Sequence, residues 1–93
     1  MSGPLFPLGA IVATPGALGV MEERGIEPFQ LLARHVTGDW GELDAHDRRE
    51  NTLAVKAGLR ILSSYPLDPN GTKLWIITEA DRSATTILRP EDY

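Results

Sequence analysis

The chain reads as an α+β domain, with two or three N-terminal helices packed on a small antiparallel sheet of three strands, or four if residues 10–13 join it. Three observations predict this. Helix starts and stops crowd the first 58 residues: Thr14-Pro15, Glu27-Pro28 and Asp44 open helices, and Gly25, Gly38 and Gly58 close them. β-branched and aromatic runs fill the remainder. No helical pattern interrupts those runs, so turns rather than crossover helices connect the strands.

At 93 residues the whole chain, 1–93, is one domain. Residues 1–9, broken by Gly3, Pro4, Pro7 and Gly9, form an extended arm. Ala10-Ile11-Val12-Ala13 is a short β-like run. Helix one begins at Thr14-Pro15 and runs to Arg24, with Leu18 and Met21 facing inward. Helix two begins at Glu27-Pro28. Phe29, Leu32 and Val36 fall on one side of it, Leu31 widens that stripe, and His35 lies in its last turn. Helix three begins at Asp44-Ala45-His46-Asp47 and ends on Leu53, Ala54, Val55 and Ala57. Asp47 and Asn51 are four apart, so they share a helical face and are candidate binding residues.

Leu59–Tyr65 is the first strand after the helices. Asn70-Gly71 marks a turn. Lys73–Glu79 is apolar on both alternating faces, which makes it the central strand and buries Trp75. Ser83–Arg89 is the last strand, ended by Pro90. It has no proline or lysine to guard its edge, so either the N-terminal stretch covers it or a homodimer forms through it.

The composition excludes several functions. Without cysteine there is no disulfide, thiol nucleophile or cysteine-based zinc site. No apolar run approaches the roughly 20 residues of a membrane span. The opening Met1–Leu8 lacks the basic region and apolar core of a signal peptide. A cytoplasmic protein with no membrane partner is the expectation. The net charge of −4 argues against a broad phosphate-binding surface, so RNA contact would run through a few arginines. There is no Gly-rich phosphate loop, Gly-x-Ser-x-Gly elbow or His-Glu-x-x-His, and no cofactor is expected. His46, Asp44 and Asp47, with Asp39 and His35, match no metal-ligand spacing, so no metal is expected.

Two stretches concentrate chemistry. The first is the loop His35-Val36-Thr37-Gly38-Asp39-Trp40-Gly41. Asp39 there could fix the His35 tautomer and raise its pKa, preparing a general acid or base. The plainer reading is a helix-end histidine bonded to loop backbone. Trp40 is a stacking platform for a base or a plug beneath the loop. The second stretch is Thr78–Ser83, where Glu79, Arg82 and Ser83 come together. Arg82 could hold a phosphate or carboxylate, with Ser83 and Thr85 donating to it. The plainer reading is a hairpin turn, with Asp81 bonding its own backbone and Arg82 paired to Glu79. Ser63 and Tyr65 line the same pocket or face solvent.

The segments Gly9–Leu18, Ala33–Gly41, Leu74–Ser83, Thr85–Leu88 and Pro90–Tyr93 resemble a family of small proteins encoded on bacterial plasmids and integrative elements. Its members carry the label "plasmid-related" or "type I restriction endonuclease subunit M". A chain this short has no room for a methyltransferase domain. The resemblance implies an accessory role on a mobile element. A second resemblance covers half of the chain. A helix ending in histidine, followed by a small sheet ending Thr-Thr-Ile-Leu-x-Pro, is similar to the barnase–EndoU–colicin–RelE type of small ribonuclease. That resemblance implies His35, Arg82, Ser83 and Thr85 as the matching residue types.

Two functions follow. In one, the chain is a non-catalytic interaction module of a mobile element, acting on a host or element-encoded protein such as a defence complex. In the other it is a metal-independent ribonuclease or RNA-binding domain, with His35, Arg82 and Ser83 catalytic. Asp39, Trp40, Asp47, Asn51, Glu79 and Thr85 would then contribute binding. The acidic balance and the lack of a complete catalytic motif favour the first.

Overall fold

The capping residues set the helix boundaries. A computed structural model describes residues 3–93, so Met1 and Ser2 of the expected arm lie outside the described residues. In chain order the elements are β1 (Ala10–Ala13), α1 (Pro15–Arg24), α2 (Pro28–Val36), α3 (Ala45–Ala57), β2 (Ile61–Pro66), β3 (Lys73–Thr78) and β4 (Ala84–Leu88), then a 3-10 turn, Pro90–Asp92. The Thr14 side chain accepts from the Ala17 amide at 3.1 Å. Gln30 reaches back to accept from the Glu27 amide at the start of α2. Asp44 accepts from the Asp47 amide at 2.8 Å. Each bond satisfies a donor that the first helical turn leaves unpaired.

The four strands form one sheet in the order β1-β4-β3-β2. β2, β3 and β4 run antiparallel, as expected of strands joined by turns. β1 pairs parallel with β4, Ala10 opposite Ala84 and Ala13 opposite Ile87. The sheet is therefore mixed rather than purely antiparallel. Three helices and two strands separate β1 from β4, so no hairpin imposes antiparallel pairing. The N-terminal stretch thereby covers the edge of β4.

The two-residue period of the strands sends one set of side chains toward the helices. Tyr65, Leu74, Ile76 and Ile87 meet Ala17 and Met21 of α1 and Leu31 and Leu32 of α2 in one core. Phe6 of the arm, Trp40, Ala54 and Ile61 form a second. Three inward assignments need correction. Ala17, not Leu18, joins Met21 in facing the sheet, and Leu18 is exposed. The buried stripe of α2 is Leu31, Leu32 and His35, which turns Phe29 outward to 67% exposure. Trp75 does lie on the central strand, but it alternates with buried Leu74 and Ile76 and so points away from the helices. There it is half-buried, with the Tyr93 ring 6.0 Å away.

The outer edge of β2 is closed. The Asn51 side chain of α3 donates to the Leu62 carbonyl at 2.6 Å and accepts from the Leu62 amide at 3.2 Å, imitating a peptide group. The Ser64 amide donates to Trp40, and the Glu42 amide donates to Ser64. Gly41 makes that approach possible. Its φ is 75°, and a Cβ would run into the Ser64 carbonyl and the Tyr65 ring. At the C-terminal end, the Thr14 hydroxyl and the Arg89 guanidinium both donate to Asp92, holding its carboxyl well below the usual carboxylate range.

Candidate functional site

His35, in the last turn of α2, is fully buried. It is the centre of a chain of hydrogen bonds through the core, and one carbonyl fixes the direction of every bond. The Leu8 carbonyl can only accept, so Thr85 donates to it at 2.7 Å. That uses the one Thr85 hydroxyl hydrogen, so Thr78 donates to Thr85 at 2.8 Å. The Thr78 hydrogen is then used, and His35 donates to Thr78 from Nε2 at 2.8 Å. Nδ1 of the neutral ring accepts from Ser63 at 2.6 Å. Strand alternation places Ser63, Thr78 and Thr85 on the helix-side face, where they supply every partner the imidazole needs.

Aromatic rings seal this chain. The Phe6 ring stands edge-on to His35 at 5.3 Å, and Trp40 does the same at 6.0 Å. Burial pushes the His35 pKa down to about 4. This corrects the expected pairing with Asp39 and the raised pKa. Asp39 lies on the exposed side of the loop and accepts from Arg34 at 2.6 Å. The Arg34 guanidinium holds its carboxyl below the usual range. Arg34 also lies over the Tyr65 ring at 4.3 Å, and the Tyr65 hydroxyl donates to the Asp39 carbonyl. Burial pushes that hydroxyl up to about 12. Trp40 is a plug, buried to 5% exposure, and offers no open face for a base.

Arg82 is committed to backbone. It adopts a left-handed conformation, φ 61°, which aims its side chain back at the end of α3. Nη1 donates to the Leu59 carbonyl at 2.6 Å and the Glu79 carbonyl at 3.1 Å. Nη2 donates to the Ala54 carbonyl at 2.8 Å. The guanidinium thus neutralises the carbonyl end of α3 and ties it to the β3–β4 turn. The partner on Glu79 is its carbonyl. The Glu79 carboxylate lies 3.9 Å from Arg60 instead. Asp81 accepts from the Ser83 amide at 2.9 Å, as in the plainer turn reading.

The structure therefore disperses the expected catalytic set. His35 and Thr85 belong to the buried chain, Ser83 is exposed on the turn, and Arg82 is a clamp. His35 and Arg82 do share a neighbour. It is the Phe6 ring, 5.5 Å from the Arg82 guanidinium, an apolar side chain rather than an open pocket. Asn51 is the cap of the β2 edge, and Asp47 is exposed in the first turn of α3. Among the described residues, no group of three His, Asp or Glu side chains is placed to hold a metal ion.

Sequence reasoning missed Phe6 and Thr78. Thr78 carried a signal, since it interrupts the apolar alternation Leu74-Ile76-Thr78, as Ser63 does in Ile61-Ser63-Tyr65. Polar residues at core positions of adjacent strands announce a buried partner.

Shallow concavities mark the surface of the described residues. One of about 350 Å³ lies along α3, among Arg49, Thr52, Leu53 and Lys56. A second, of about 330 Å³, lies between Leu5, Gly38, Trp40, Thr52, Val55 and Lys56. They share Thr52 and Lys56, so they adjoin along α3, with apolar side chains and the basic Arg49 and Lys56 around them. A third, of about 410 Å³, opens at Val20, Thr72, Lys73 and Arg89, and Arg89 there is committed to Asp92. No protein-family model matches the chain, and neither a curated protein nor a solved structure matches it.

Proposed function

We propose that this chain is a non-catalytic protein-interaction module, an accessory of a mobile genetic element that acts on a protein complex of its host, a defence complex being the favoured class. The observation that carries this is the state of His35. A general base must come within hydrogen-bond reach of the proton it takes, about 2.6–3.2 Å. His35 is fully buried under Phe6 and Trp40, and both its ring nitrogens are already bonded to the protein. A phosphate at Arg82 would have to displace three backbone carbonyls. The acidic balance adds to the same side, and the resemblance to plasmid-related proteins supports the accessory role.

The surface suited to a partner is the groove along α3. Leu5 and Leu53 are about half exposed beside it, and Arg49 and Lys56 lie around it. An acidic segment with an apolar anchor fits that chemistry. Two measurements test the reading. Purified protein should leave RNA intact. Leu53→Glu combined with Lys56→Glu should weaken the complex with its partner about tenfold or more, at an unchanged melting temperature. RNA cleavage by the wild type that is lost in folded His35→Ala and Arg82→Ala variants would overturn it.

A further inference from the structure

We propose that a second copy of this chain adds to the free edge of β1, giving a closed two-fold dimer with one continuous sheet. The inference rests on the reading of the chain as an interaction module and adds a second surface to it. It starts from the unequal edges of the sheet. On β2, Asn51 and the loop at Trp40 and Glu42 satisfy the outward groups of Leu62 and Ser64. On β1, the Ala10 amide donates to Ser83 and the Thr14 amide donates to Ile87, both toward β4. Backbone groups alternate along a strand, so the N–H and C=O of Ile11 and Ala13 turn outward.

Among the described residues nothing guards that edge. Ala10–Ala13 carries no charge, proline or bulge. Ile11 and Val12 point to opposite faces of the sheet, yet each is 49% exposed, so neither face of β1 is polar. An open backbone edge recognises another extended strand. A second copy is the favoured strand because the edge is complementary to itself. With β1 antiparallel to its copy about Val12, Ile11 stands opposite the partner's Ala13 and all four outward groups pair. Val12 stands opposite the partner's Val12, and no like charges meet. The closed β2 edge also decides the symmetry. β1 finds no free β2 edge on another molecule, so association stops at two instead of growing head to tail.

A strand of four residues buries less than the roughly 1,200 Å² of a standard interface, so the dimer should dissociate on dilution. Sedimentation of the wild type up to about 1 mM should show the mass of two chains. Ile11→Pro removes an outward N–H and leaves the β1–β4 bonds in place. It should sediment as one chain with an unchanged melting temperature. The absence of cysteine allows a second test that does not depend on that variant. Cα atoms facing each other in a non-hydrogen-bonded antiparallel pair lie about 4.5 Å apart, within disulfide reach. Val12→Cys should therefore form a disulfide-linked dimer under oxidised glutathione. Thr86→Cys, one strand further from the axis on β4, would lie about 14 Å from its copy and should not. A single-chain mass for the wild type at about 1 mM, a two-chain mass for Ile11→Pro, or equal linking by the two cysteine variants would each overturn the inference. A wild type that remains a single chain yet binds its partner at the α3 groove would sink this inference and leave the interaction reading standing.

Discussion

A buried imidazole ties stability to pH. The His35 pKa is about 4 in the folded chain, against 6.5 for an exposed histidine. Between those values the unfolded chain binds a proton that the folded chain does not. The contribution of His35 is therefore fully present above about pH 6.5 and is lost as pH falls toward about 4. The total is roughly 3 kcal/mol, at about 1.4 kcal/mol per pH unit. Urea midpoints at pH 7.5, 5.5 and 4 should fall along that course, and His35→Gln should flatten it. Asp39 and Asp92, whose carboxyls are held below the usual range, lose their contributions only as pH falls past the ordinary carboxylate value. The two windows are thus separable. The sequence placed His35 in a last helical turn, where the helix dipole favours its charged form. Full burial outweighs that effect. Burial depended on the arm folding over the ring, and no local pattern specifies where an arm without secondary structure will lie.

The elements were largely legible. Thr14-Pro15, Glu27-Pro28, Asp44, Gly25 and Gly58 mark helix ends by local chemistry alone, and the structure places those ends within a residue of the expected positions. The orientation of each element was less so. Phe29 and Trp75 are large and apolar, but Leu31 and Leu32, and Leu74 and Ile76, claim the inward faces. The uses of Asn51 and Arg82 were not legible at all, because both hold backbone that is distant in sequence. Asn51→Ala would leave the Leu62 amide and carbonyl unpaired. It should cost roughly 1–3 kcal/mol and speed hydrogen exchange at Leu62. Arg82→Lys keeps the charge but cannot span three carbonyls with one ammonium. A loss of about 1–3 kcal/mol is expected, with faster amide exchange at Gly58 and Leu59, where α3 ends. An unchanged denaturation midpoint for Arg82→Lys would contradict its role as a clamp.

The molecule is closed by contacts between its two ends. The Thr14 hydroxyl reaches Asp92 and the Thr85 hydroxyl reaches Leu8, bonds that span 78 and 77 positions. Phe6 is the arm's anchor, in contact with His35, Trp40 and Arg82. Phe6→Ala should cost about 3–5 kcal/mol, a large part of the stability of a domain this size. The milder Phe6→Leu should keep the fold while admitting water to the imidazole. Its pKa should then rise from about 4 toward 6.5, read from ring resonances across a pH series. An unmoved titration curve would show that the arm does not seal the ring. Pairing the first strand with the last also sets an order of events during synthesis. β1 leaves the ribosome well before its partner β4, with three helices and two strands made in between. Until β4 emerges, β1 has no strand to pair with, so the backbone groups of Ala10 and Val12 that face β4 stay unpaired. Completion of the sheet is thus deferred until β4 has been made, and a product truncated before β4 keeps Ile11 and Val12 open to chaperones and proteases.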